Sequence, residues 1–177
     1  MQLNSGIFVS ITNFIKRRLI EFFGLILITF FLLYTFALIS YSAENSTLIY
    51  NADNLDVNFF YYYSNIIADF FLQSFGLISF LIGISIFSWG INLLVSKKVS
   101  HILAKSFFLV IYIFFGCLFI YSSYNNSFWL IDNGNSGFVG KITYNFINTW
   151  APWIDNTYVI YGLFLLTLIL FSFSADI

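Results

Sequence analysis

The stretch FFLQSFGLISFLIGISIFSWGINLLV, residues 70–95, decides the fold. A hydrocarbon core about 30 Å thick is crossed by about 20 apolar residues in helix, and only Gln73 and Asn92 interrupt this run. In water its Phe and Ile content would favour strand, but in lipid each backbone N–H and C=O must be satisfied within its own segment. The run is therefore read as a helix. Three further charge-free runs share its character, from about Phe22 to Tyr41, Ser106 to Tyr124 and Thr157 to Ser174. The expected fold is an all-α membrane protein: one membrane domain over residues 1–177 with four transmembrane helices, outer loops at about 42–68 and 125–156, and an inner loop at about 96–105.

Composition agrees. Of 177 residues, 60% are hydrophobic and 8% charged, against about 45–50% and about 25% in soluble domains. So little charge cannot clothe a water-soluble globule. The net charge of -1 offers no basic field for nucleic acid, so no direct DNA binding is expected. Cys117, the one cysteine, lies inside an apolar run and reads as a packed or lipid-facing residue. His101, the one histidine, sits among Lys97, Lys98 and Lys105 and reads as a solvated loop residue. That leaves no zinc-type ligand set.

The basic residues set a direction. Lys16, Arg17 and Arg18 precede the first span, and Lys97, Lys98 and Lys105 separate the second from the third. Only Lys141 falls on the other side. The positive-inside rule then places both termini in the cytoplasm. Tyr61, Tyr62 and Tyr63 and Trp129, Trp150 and Trp153 mark the outer headgroup level, and Trp89 marks the inner one. The first run exceeds the 7–15 apolar residues of a cleavable signal, so it reads as a retained anchor.

Within the second outer loop, Val139, Ile142, Phe146 and Trp150 recur at helical spacing, with Lys141, Asn145 and Asn148 opposite. An amphipathic helix over Gly137–Trp150, lying in the outer interface, fits that period. A partner-docking helix is the alternative. Gly137 to Lys141 reads GFVGK but lacks the glycine and hydroxyl residue that a phosphate-binding loop needs, where Asn135 and Ile142 stand. No ATP site is expected. Gly76, Ser79, Gly83 and Gly90 form a small-residue stripe along the second span, which would let another helix approach closely and make this span central to the bundle. Asp69, where that span begins, reads as a first-turn residue favoured by the helix dipole; proton or ion transfer is the functional alternative.

Several pieces together resemble a family. Ala37-Leu38-Ile39-Ser40-Tyr41-Ser42-Ala43-Glu44-Asn45-Ser46 is similar to the A-L-x-S-[YF]-[SN]-P-x-D-P-S signature of the N-terminal membrane domain of FtsK/SpoIIIE-type bacterial DNA translocases, with the two prolines and the Asp replaced. Asn58, then Ala68-Asp69 and Phe75-Gly76, resembles N-x-x-G-x-x-G-x-x-x-A-D-x-x-x-x-x-F-G, with Tyr61 and Ser64 at the two internal glycines. Trp89-Gly90 and Gly137-Phe138-Val139-Gly140 also match. The resemblance implies a septal anchor in the bacterial inner membrane. Its ATP- and Mg-dependent motor would lie beyond Ile177, this chain holding no cofactor, and its partners would be the lipid bilayer and other division proteins. Asn58, Asp69, Gly137, Gly140, Phe146 and Trp150 are the expected partner contacts, and self-association is left open. The competing readings are a small multi-pass transporter or channel subunit, which needs polar groups inside the bundle, and a membrane enzyme, which needs convergent titratable groups.

Overall fold

The computed structural model describes residues 2–42, 59–97, 101–126, 130 and 133–177. These form six α-helices: α1 (Gln2–Ile39), α2 (Phe59–Phe75), α3 (Ile78–Ser96), α4 (Ile102–Tyr124), α5 (Gly137–Trp150) and α6 (Thr157–Ala175). A 3-10 turn at Pro152–Asp155 leads into α6. Four segments are long and apolar enough to cross a membrane: Ile11–Ile39, Ile78–Ser96, Ile102–Tyr124 and Thr157–Ala175. Large apolar side chains such as Phe22, Leu32 and Phe36 of α1 and Leu165 and Phe173 of α6 stay exposed on the bundle's outside. Lipid is the solvent that accepts such a surface.

Three boundaries differ from the sequence reading, the smallest being that of the third span, whose helix begins at Ile102 instead of about Ser106. The second membrane-length helix begins at Ile78 instead of residue 70, because the chain breaks at Gly76 and Leu77. Residues 59–75, divided in the reading between outer loop and span, form the separate helix α2. The first helix also begins well before Phe22.

Helix α1 lies along α3, and α4 lies along α6, while α3 touches both α4 and α6 and so joins the two pairs. Two apolar clusters fill the inside. One gathers Tyr34, Ala37 and Leu38 of α1 with Ala68 and Leu72 of α2 and Leu130. The other gathers Ile78 and Ile82 of α3 with Tyr112, Ile113 and Cys117 of α4. Among the described residues the buried polar side-chain atoms are paired, as burial requires, with the Ser122 hydroxyl the exception. The Tyr34 hydroxyl donates to the Ser79 carbonyl at 3.0 Å, and the Ser85 and Tyr112 hydroxyls share a hydrogen bond of 3.0 Å.

Close approach between α1 and α3 depends on glycine at two levels. A methyl group on Gly90 would lie 2.8 Å from Ile28 Cγ1 and 3.1 Å from the Gly24 carbonyl oxygen, and one on Gly24 would lie 2.9 Å from the Gly90 carbonyl oxygen. One turn-pair further along, Gly83 receives the Tyr34 ring, 3.2 Å from where a methyl would be. In lipid, where apolar side chains gain nothing by leaving the solvent, such backbone proximity carries much of the association.

At the end of the bundle that carries Lys97 and Lys105, the helices are tied by polar links. Glu21 of α1 accepts from Arg18 at 2.6 Å and from Lys97, just past α3, at 2.7 Å. The end of α6 is held by both α3 and α4. Trp89 Nε1 donates to the Ser174 carbonyl at 2.7 Å, Ser88 donates to the Ala175 carbonyl, and Lys105 Nζ meets Asp176 at 2.9 Å. Asn92 also donates to Asp176, at 3.3 Å. At the other end of α6, Asn156 caps the helix by accepting from the Tyr158 N–H at 3.0 Å.

Candidate functional site

Opposite that basic end, α2, α5 and the last turn of α4 converge. Gly76 closes α2, its N–H donating to the Leu72 carbonyl at 2.8 Å, and then turns the chain with φ of +57°. The next residue, Leu77, donates its N–H to the Asn135 carbonyl at 2.9 Å. Any side chain at Gly76 would collide with that carbonyl, since a methyl would lie 1.9 Å from its oxygen. Gly137 at φ +66° faces the same crossing, where a methyl would lie 2.6 Å from the Gly76 nitrogen. Gly134 at φ +71° faces Asn125, where a methyl would lie 2.3 Å from the carbonyl oxygen. Only glycine takes the left-handed conformation freely and leaves this room.

Asparagine amides complete the crossing. The buried Asn135 side chain donates to the carbonyls of Tyr124 and Asn126, at 3.3 and 2.9 Å, and its backbone N–H donates to the Asn125 carbonyl at 3.0 Å. Asn125 Oδ1 in turn accepts from the Ser136 N–H at 3.1 Å and the Ser136 hydroxyl at 2.6 Å. Asn133 donates to Gln73 Oε1 at 3.0 Å. The end of α4, the start of α5 and the break after α2 are thereby one hydrogen-bonded unit. The sequence reading gave Asn125, Asn135 and Ser136 no part in a site. Their signal was the run Asn133-Gly134-Asn135-Ser136-Gly137, a dense set of turn formers.

From this unit α5 runs along α4. A methyl on Gly140 would lie 2.8 Å from the Cys117 carbonyl oxygen, and the Tyr121 and Tyr144 rings meet at 4.4 Å between centroids. The Tyr144 hydroxyl donates to Asp155 at 2.7 Å, and that bond to a carboxylate is the first cause that pushes the phenol up to about 12, with burial second. On the far side of α5, Phe138, Ile142, Phe146 and Trp150 form an exposed apolar row at four-residue spacing, Trp150 being 80% exposed. Val139, grouped with them in the sequence reading, instead turns inward onto the α3–α4 cluster.

The structure sorts the expected site residues into two groups. Phe146 and Trp150 are on the surface. Gly137, Gly140 and Asp69 are buried by this chain's own helices. The two glycines are buried where α5 meets its neighbours. Asp69 is 5% exposed well inside α2, not in a first turn, and it accepts from the Tyr41 hydroxyl at 2.8 Å. Nearby, Asn65 accepts from the Ser42 N–H at 3.1 Å, so the exit of α1 is fastened to α2. In the small-residue stripe, Gly83 and Gly90 face α1, and the Ser79 hydroxyl donates to the Phe71 carbonyl at 2.8 Å. Gly76 is no rung of that stripe, because it is the turn before α3 begins. Asn58 and the segment Ala43–Ser46 lie outside the described residues.

Among the described residues, no group of His, Cys, Asp or Glu comes together to hold a metal ion. Cys117 is buried, its thiol donating to the Phe75 carbonyl at 3.4 Å. What the arrangement can do is present a surface from a rigid base. It is a multi-pass helical membrane protein with a built platform at one end. Residues 16–176 match the family described as the 4TM region of DNA translocase FtsK/SpoIIIE, and the chain belongs to that family. That family is the membrane region of such translocases, distinct from the motor. No curated protein and no solved structure gave a significant match.

Proposed function

We propose that this domain holds a cell-division DNA translocase at the septum, with both termini in the cytoplasm and the α2–α5 platform on the outer side, where it meets other division proteins. The family match over residues 16–176 carries this reading. The work is divided. Recruitment needs a surface, which the exposed row Phe138, Ile142, Phe146 and Trp150 supplies on a base fixed by three left-handed glycines. Moving DNA needs nucleotide cradled by backbone donors and a basic channel. Seven basic residues, several committed to Glu21 and Asp176, do not make one. The domain itself therefore hydrolyses no ATP and binds no DNA.

A fluorescent fusion of the 177 residues is expected to concentrate at the division septum, and the Phe146→Ser/Trp150→Ser variant to lose that enrichment while staying in the membrane. Even distribution of the parent fusion around the envelope would defeat the septal assignment. Topology is tested separately. A cysteine in place of Trp150 should react with an impermeant thiol reagent added outside the cell, and one in place of Leu103, 84% exposed at the basic end, should react only after permeabilisation. Native Cys117 is buried and does not interfere. Labelling of position 103 from outside would invert the orientation.

A further inference from the structure

Helix α1 is longer than its role as a span requires. Its 38 residues extend about 57 Å at 1.5 Å each. The charge-free part, Phe22–Ile39 with 18 residues, extends about 27 Å and by itself nearly fills a hydrocarbon core of about 30 Å. The surplus falls at the end next to Glu21, where residues 11–19 are all exposed and Ile20 is the first buried residue among the described side chains.

That surplus is two-faced. At 100° per residue, Ile11, Phe14, Ile15 and Leu19 share one face, which continues the outward apolar row of Phe22 and Ile26. Thr12, Asn13, Lys16 and Arg17 share the other. Arg18 lies over the Phe14 ring, 5.3 Å from its centroid, and is paired with Glu21. Because Glu21 is already met by Arg18 and Lys97, it leaves Lys16 and Arg17 uncompensated: neither makes an ion pair among the described residues. An exposed apolar row flanked by unpaired cations is not a stable surface in water. It complements a sheet of anionic headgroups with acyl chains beneath.

We propose that residues 11–19 of α1 form a membrane-surface arm that binds anionic lipid, with Phe14, Ile15 and Leu19 at the headgroup–acyl boundary and Lys16 and Arg17 on the phosphates. Outward inclination of the arm presents its apolar face to the leaflet, since that face already continues the lipid-facing side of α1. The arm would steady the angle at which α1 leaves the membrane.

The test uses the full chain with Ile15→Cys carrying a spin label, in nanodiscs of phosphatidylcholine alone and of phosphatidylcholine with phosphatidylglycerol. Both faces of a disc carry the same lipid, so the result is independent of topology and of septal recruitment. In the anionic discs the label should be shielded from a water-soluble relaxing agent and open to oxygen dissolved in lipid. Lys16→Gln/Arg17→Gln should weaken this docking by roughly five-fold per charge removed, as should high salt, with the thermal unfolding of the bundle unchanged. A label that stays in water in both lipids overturns the proposal. So does equal shielding whatever the lipid charge, or spin–spin broadening that marks a second copy as the occupant.

Discussion

Gly76→Val should abolish the ordered α2–α5 platform and lower the stability of the domain by about 3 kcal/mol or more. Two penalties act together. A β-branched residue at φ +57° is strained, and its Cβ would occupy space 1.9 Å from the Asn135 carbonyl oxygen. That oxygen cannot retreat, because the same peptide carries the bond from Leu77 and Asn135 is itself held by α4. Thermal unfolding in detergent measures the loss, and cysteine cross-linking between α2 and α5 reports the platform. A variant within about 0.5 kcal/mol of the parent, the range of an ordinary surface change, would show that the crossing is looser than described.

The second large effect concerns the α1–α3 seam. Gly90→Leu should separate the two helices and cost about 2–3 kcal/mol by overpacking, since even a methyl there meets Ile28 and the Gly24 backbone. The control lies on α6, where a methyl on Gly162 meets nothing within 4 Å. Gly162→Ala should be neutral or stabilising by up to about 1 kcal/mol through helix propensity. Equal unfolding temperatures for the Gly90→Leu and Gly162→Ala proteins would mean that the Gly90 face looks at lipid.

The bundle was legible in the sequence because lipid imposes a length and an apolar content that few other structures need. The ends of the third and fourth spans, near Tyr124 and Ser174, followed from composition alone. Helix α2 was not legible as a helix of its own. Its inward positions include Ser64, Asn65, Ala68, Asp69 and Leu72, so the buried face has helical spacing but is half polar, and a hydrophobic period cannot mark it. The break at Gly76 was hidden for a related reason: glycine is common in membrane helices, and the charge-free, largely apolar run continues on both sides of it. Its necessity shows only through Asn135, far away in the chain. On α5 the period was legible, and of the residues named for it only Val139 turns inward. Glycine at 137 and 140 takes the packed side, which leaves the row of Phe138, Ile142, Phe146 and Trp150 outside.

The fastening of α6 at the basic end has a mechanical meaning. A tension applied along the chain at Asp176 does not first peel α6 away from its neighbours. It loads Lys105 and Asn92 through the carboxylate, and Trp89 and Ser88 through the last carbonyls of the helix. The strain enters α4 and α3 together, and from α3 it passes through Lys97 and Glu21 to α1. Links loaded in parallel share a pull, whereas in series each would carry the whole of it. The domain thus resists being drawn out of the membrane as a body of four helices, with the resistance set by the whole bundle's hold on the bilayer.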